Sequence, residues 1–156
     1  MIERAAAADA GEILTLQRAA YVAEAQLYGD PFIPPLVESL EQIRKIIDTA
    51  IVLKALDAGR IVGAVRGQLS GTTCRVGRLV VAPDRQGQGL GTALLRALHE
   101  QVPEAEAFDL FTGHLSDGNL RLYRRLGYRE TSRERMDDHL TLVHLRRTTD
   151  RPPPQR

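Results

Sequence analysis

The sequence predicts an α/β chain built on one mixed sheet, mostly antiparallel and of six or seven strands, with helices on both faces. Three observations predict it. Strand-like runs rich in valine and isoleucine fill residues 50–82, broken by the turn "DAG". Apolar residues at helical spacing stand before and after that block. Some strands are separated by hairpin-length segments and others by helix-length ones, so the sheet mixes hairpins with crossovers.

In chain order, the residues up to Arg4 read as a short first strand. Asp9, with Glu12 three residues later, reads as a capping box opening a helix to about Tyr28. Ile13, Leu16, Ala20 and Leu27 fall within one arc of it. "YGDPFIPP" ends that helix, because its prolines and glycine cannot continue it. A second helix is expected over Leu36 to Asp48, with Leu36, Leu40, Ile43 and Ile47 in register. "AIVLKAL" and "RIVGAVRG" form a hairpin, and "TTCRVGRLVVA" is the third strand of the meander. Within it Cys74 and Val76 share one parity while Leu79 and Val81 share the other. A β-bulge at Gly77–Arg78 would produce that slip. Val80 keeps the first parity, so a strand buried on both faces fits as well.

A helix follows from about Gly89 to Gln101, burying Leu90, Leu94, Ala97 and Leu98. "AFDLFT" is a strand, "SDGNLRLYRRL" a helix capped by Ser116, and "GYRETS" and "HLTLVHLR" the last strands. The order is β-α-α-β-β-β-α-β-α-β-β. Residues 1–147 are expected to form a single domain, and 148–156 a disordered proline-rich tail.

Composition excludes several function classes. The 156 residues carry a formal net charge of +1, with 43% hydrophobic and 26% charged residues. Nothing in that balance recommends a nucleic-acid or membrane partner. Lys45 and Lys54 are the only lysines, and Cys74 the only cysteine. One cysteine excludes an internal disulfide and a cysteine-based zinc site, so no metal is expected. With no leader-like start and no long apolar stretch, a cytoplasmic protein is expected.

The segment "VVAPDRQGQGLGTALLRAL" places Gly87, Gly89 and Gly91 where a strand hands over to a helix. A P-loop would end in Gly-Lys-Ser/Thr, and no lysine is present. A dinucleotide fingerprint starting at Gly87 would need glycine where Thr92 stands, although Asp109 lies where a ribose-binding acid would be sought. The third reading is an anion cradle. Successive backbone N–H groups in a glycine turn, together with a helix N-terminus, bind a diphosphate closely.

"QGQGLG" resembles the [Q/R]-x-x-G-x-[G/A] signature of the GNAT superfamily of N-acetyltransferases. "SDGNLRLYRRLGYRE" is similar to that family's N-x-x-A-x-x-x-Y-x-x-x-G-F segment, with Tyr123 on the tyrosine and Gly127–Tyr128 on the closing pair. The resemblance implies that Gln86, Gly87, Gln88, Gly89, Leu90, Gly91 and Thr92 hold the pyrophosphate of acetyl-CoA. It also implies that Leu79, Val80 and Val81 pair with the pantetheine arm where the bulged strand splays. Ser116 stands on the family's asparagine and Asn119 on its alanine, so either Ser116 or Asn119 would contact the coenzyme in its place, or Ser116 only caps the helix.

Acetyl transfer to an amine needs a base, an oxyanion donor and an acid for the departing thiolate. The resemblance assigns Tyr123 as acid, and the Val81 N–H is the expected oxyanion donor. Neither the third meander strand nor "FDLFTG" carries a glutamate, so the base is sought in Glu24, His114 or a water relay. The resemblance also implies that the first helix, "YGDPFIPPL" and the second helix wall the acceptor side. Their scattered acids (Glu24, Asp30, Glu38) suit a small amine bearing a cation and apolar bulk. A protein N-terminus and a non-catalytic CoA sensor are the alternatives. Relatives often form homodimers, though no residue here argues for one.

Overall fold

The computed structural model describes residues 1–149; the expected tail lies, from residue 150, outside them. Seven strands form one sheet: β1 (Ile2–Arg4), β2 (Ile51–Asp57), β3 (Arg60–Ser70), β4 (Thr73–Val81), β5 (Ala107–Gly113), β6 (Arg129–Arg135) and β7 (Thr141–Thr148). Their spatial order is β1-β2-β3-β4-β5-β7-β6. Every pairing is antiparallel except β4 with β5. The expected mixed, mostly antiparallel sheet is the one observed.

The helices are α1 (Ala10–Tyr28), α2 (Pro34–Val37), α3 (Leu40–Thr49), α4 (Leu90–Gln101) and α5 (Asp117–Arg125). Leu94, Leu95 and Leu98 of α4 are fully buried on one face of the sheet. Each contributes about 1.5–3 kcal/mol of transfer free energy. Ile13, Gln17 and Ile43 of α1 and α3 lie against β2 and β3. At one edge, every residue of β6 is exposed.

Three local expectations are corrected. Asp9 does not cap α1 with its side chain: its carboxylate accepts from the Ala6 N–H at 2.7 Å and from Lys54 Nζ at 2.7 Å. Glu12 instead accepts from the Ile61 N–H at 3.2 Å, tying α1 to β3. The second helix is broken. Pro34 and Pro35 start the short α2, Glu38 turns extended at ψ 135°, and Ser39 restarts the chain as α3. Ser39 and Gln42 form the capping box there, on a Ser-x-x-Gln spacing. Leu27 is exposed rather than buried, at the mouth of the cleft described below.

The meander strand does bulge. Ala64 pairs with Val80 and Arg66 with Gly77, so Arg78 and Leu79 stand opposite the single Val65. The left-handed residue is Arg78, at φ 48°, and not its glycine neighbour.

Candidate active site

β4 and β5 pair only from Thr73 to Arg75 against Ala107 to Asp109, and then separate. A cleft of about 620 Å³ opens past that point, with Leu79, Val80 and Val81 on one wall and Tyr21 and Glu24 of α1 on another. Backbone direction follows from the ladder. Ala82 N donates to Val62 O at 2.8 Å, so alternation turns the Val81 N–H to the opposite edge of β4, which β5 has left.

The glycine segment closes one end of the cleft. Gly87 and Gly89 have φ 76° and 81°, a left-handed backbone that side chains rarely adopt. Gly89 also stands at the N-cap of α4. The first amides of α4, at Leu90, Gly91 and Thr92, have no intrahelical acceptor, and these three residues line the cleft. Free amides at a helix N-terminus are an arrangement that favours an anion. Gly91 has a second role beside its cleft-lining amide: a Cβ there would come 3.2 Å from Leu122 Cδ2, so its absence lets α5 pack close. Gln86 lines the cleft but Gln88 does not.

Glu24 is held from α5. Ser116 Oγ lies 3.1 Å from both carboxylate oxygens, and Asn119 Nδ2 lies 3.4 Å from Oε1. Asn119 also reaches Thr112 Oγ1 at 3.3 Å, and Ser116 Oγ meets the Tyr28 hydroxyl at 2.8 Å. Ser116 stands at the N-cap of α5 but does not cap it with its side chain; its hydroxyl is taken by Glu24 and Tyr28, and the residue is 6% exposed. Burial pushes the Glu24 carboxyl above its ordinary pKa, against the stabilising bond from Ser116. A carboxylate raised this way, facing a cleft, is suited to accept a proton.

Tyr123 is 6% exposed and stands behind the cleft wall, its ring 5.9 Å from that of Tyr128. Burial, with Tyr21, Tyr128 and Glu24 nearby, raises its phenol and keeps it protonated. Tyr21 is the phenol on the wall itself, pushed up to about 12 chiefly by burial. His114 is not on the wall: its Nδ1 accepts from the Thr141 N–H at 3.0 Å, which occupies the lone pair a base would use.

The loop after α1 also departs from expectation. No residue of "YGDPFIPPL" lines the cleft, and Phe32 is 74% exposed. Asp30 accepts from the Phe32 N–H, and Glu38 is engaged by arginines. Of the three expected acids, only Glu24 faces the cleft.

Arg121 and Arg125, one turn apart on α5, line the wall together with Arg85, and the sequence reading missed all three. Their i, i+4 spacing was the available signal. If the cleft takes acetyl-CoA, as the family resemblance implies, replacing both Arg121 and Arg125 by glutamine is expected to weaken its binding about 10-fold and to flatten the salt dependence. Calorimetric titration at two ionic strengths measures this. Among the described residues no group of His, Cys, Asp and Glu could hold a metal, and no helix is long and apolar enough to cross a membrane.

Comparison with known proteins places this geometry. Residues 20–149 match the acetyltransferase (GNAT) domain family. The UPF0157 protein YqkA of Bacillus subtilis (strain 168) is 28% identical over 138 residues, covering 87% of this chain. The chain spans 40% of that relative's length. Among solved structures, the Escherichia coli ribosomal-protein-S18-alanine N-acetyltransferase superposes with a TM-score of 0.80 at 17% identity, over 95% of this chain and 92% of that one. The Salmonella typhimurium yncA structure, a putative acetyltransferase with acetyl-CoA, gives 0.78 at 17% identity, over 99% and 97%. With a splayed β4, a left-handed glycine turn and a family match over most of its length, the chain belongs to the acetyltransferase (GNAT) domain family.

Proposed function

We propose that the protein is a cytoplasmic enzyme that transfers the acetyl group of acetyl-CoA to a primary amine of a small molecule, by direct attack in a ternary complex. The observation that carries this is Glu24, held by Ser116 and Asn119 on the wall facing the free edge of β4. Gln86, Gly87 and the first amides of α4 would hold the pyrophosphate, and the backbone of Leu79–Val81 the pantetheine arm. Acetyl-CoA supplies a thioester carbonyl open to attack by a neutral amine.

Glu24 takes the amine proton as the nitrogen bonds to the carbonyl carbon. The Val81 N–H donates to the oxygen on which charge develops. As the carbon–sulfur bond breaks, a phenol returns a proton to sulfur, and we assign this to Tyr123, which burial keeps in its protonated form. Ser116 and Asn119 serve as positioning residues for the base.

Thiol release from acetyl-CoA with an amine panel tests the reading. Amine-dependent release supports it, and coenzyme binding with no release from any amine would leave a CoA sensor. Tyr123→Phe is expected to lower kcat at least 10-fold with acetyl-CoA affinity unchanged. If Tyr21→Phe carries that loss instead, the acid is Tyr21.

A further inference from the structure

The bulge that opens the cleft also turns over one charged residue. Arg78, opposite Val65 in the bulge, sends its side chain toward the space between α1, α3 and the sheet. There it meets Arg66 and Gln17 at a cavity of about 20 Å³. The charges in this cluster do not balance. Glu38 is the one carboxylate in contact with both guanidiniums, at 2.5 Å from Arg66 Nη2 and 3.6 Å from Arg78 Nη2. Its Oε1 already receives Arg66 and Gln17 Nε2, the latter at 3.0 Å.

Arg78 is thus left with a contact longer than a hydrogen bond. Its Nε is also the one buried side-chain nitrogen or oxygen among the described residues with no partner. A buried donor left without a partner is costly, the more so when charged, so its presence calls for an explanation. Burial and then the like charge of Arg66 pull the Arg78 pKa below its ordinary value, as expected of a cation short of counter-charge. The Arg78 side chain is still 24% exposed, so a ligand reaches it at its terminal nitrogens and not at the buried Nε.

The position of the cluster relates it to the cleft. Leu79, the residue after Arg78, lines the cleft, and Tyr21 on the facing wall lies within electrostatic range of Arg78, Arg66, Glu38 and Glu24. Tyr21 and Glu24 are one turn apart on α1, and both line the cleft. The Arg78 guanidinium borders the small cavity and not the cleft itself, so an acceptor whose amine meets Glu24 reaches it by extending past Tyr21.

We propose that Arg78, backed by Arg66, receives a carboxylate of the acceptor, so that the substrates are amines that carry a carboxyl group. This rests on the acetyltransferase reading above and replaces the cationic acceptor expected from the sequence. A guanidinium presents parallel N–H groups that match a carboxylate. Bound at the terminal nitrogens, the substrate carboxylate supplies the missing negative charge. A protein N-terminus offers a neutral peptide carbonyl at that distance and would gain less.

The test is thiol release by the full chain with acetyl-CoA and matched probes. These are apolar amino acids and ω-amino acids of increasing length, each beside its amide and its decarboxylated amine. The acids are expected to be preferred about 100-fold in kcat/KM. Amides of α-amino acids have the more readily deprotonated amine, so amine basicity cannot produce this preference. Arg78→Met is expected to reduce the preference below about 5-fold through KM for the acid, with the amide and the KM for acetyl-CoA nearly unchanged. Amides or cationic amines used as well as acids would overturn the proposal and leave the transferase reading standing. So would an Arg78→Met variant that slows every amine equally. No release with any amine would overturn both. Should Arg78→Met fail to fold, the wild-type preference and competitive inhibition by the matching carboxylic acids without the amine decide alone.

Discussion

Glu24→Gln is expected to lower kcat/KM for amine acetylation by about 100- to 10,000-fold, the range in which general-base catalysis acts. Coenzyme affinity should stay within about twofold. Glutamine keeps an oxygen for Ser116 and Asn119 but cannot accept a proton. The pH profile is the sharper test. Burial raises the Glu24 carboxyl, so the wild-type rate should climb with pH along a limb lying above the ordinary carboxylate range. That limb should be absent from the variant's residual rate. Stability moves the other way. Because the folded state binds the Glu24 proton more tightly than the unfolded chain, the contribution of this group is complete at low pH and is lost as pH rises through its folded pKa. The neutral variant should therefore melt no lower than wild type at pH 8, with less advantage at pH 4. A variant with intact turnover, or an unchanged acid limb, would remove Glu24 from the mechanism.

The largest expected effect on stability lies behind that carboxylate. A Cβ on Gly113 would stand 2.0 Å from Tyr28 Oη and 2.2 Å from Cζ, too close for any rotation of the hydroxyl to relieve. The buried ring would have to leave. It would lose its bond to Ser116 Oγ, and the Leu115 N–H would lose the hydroxyl it donates to at 3.0 Å. Gly113→Ala is expected to cost about 3 kcal/mol. That corresponds to a fall in Tm of roughly 6–12 °C at this chain length. Activity should drop as well, since Ser116 carries Glu24. In a Tyr28→Ala background the same glycine substitution should be nearly silent, because its target is gone. Additive losses in the double variant would show that the clash is not the cause.

The order of strands and helices was legible because periodicity and turn chemistry are local, and the left-handed glycines before α4 announced themselves by spacing. The bulge left a trace as a parity slip, although which residue would turn left-handed did not follow. Glycine would have been the intrinsic choice. What the sequence hid depends on distant partners. Asp9 and Ser116 both had the chemistry of N-caps, yet Lys54 and Glu24 claimed their oxygens from 45 and 92 residues away. Glu38 looked like an acid lining an acceptor site, and only the folded chain shows two arginines around it. His114 followed the strand expected to border the cleft, but a backbone amide of β7 took its ring nitrogen.

The strand β6 carries one last consequence. Its sequence "RETSRER" is exposed at every position, and Glu130 is paired with Arg133 along the same strand. An open sheet edge ordinarily invites a strand from another molecule. Any newcomer here would have to strip water from five charged side chains to gain its backbone hydrogen bonds. The opposite edge, β1, offers only three residues. Crowded solutions of this protein should therefore resist strand-by-strand polymerisation at both ends of the sheet.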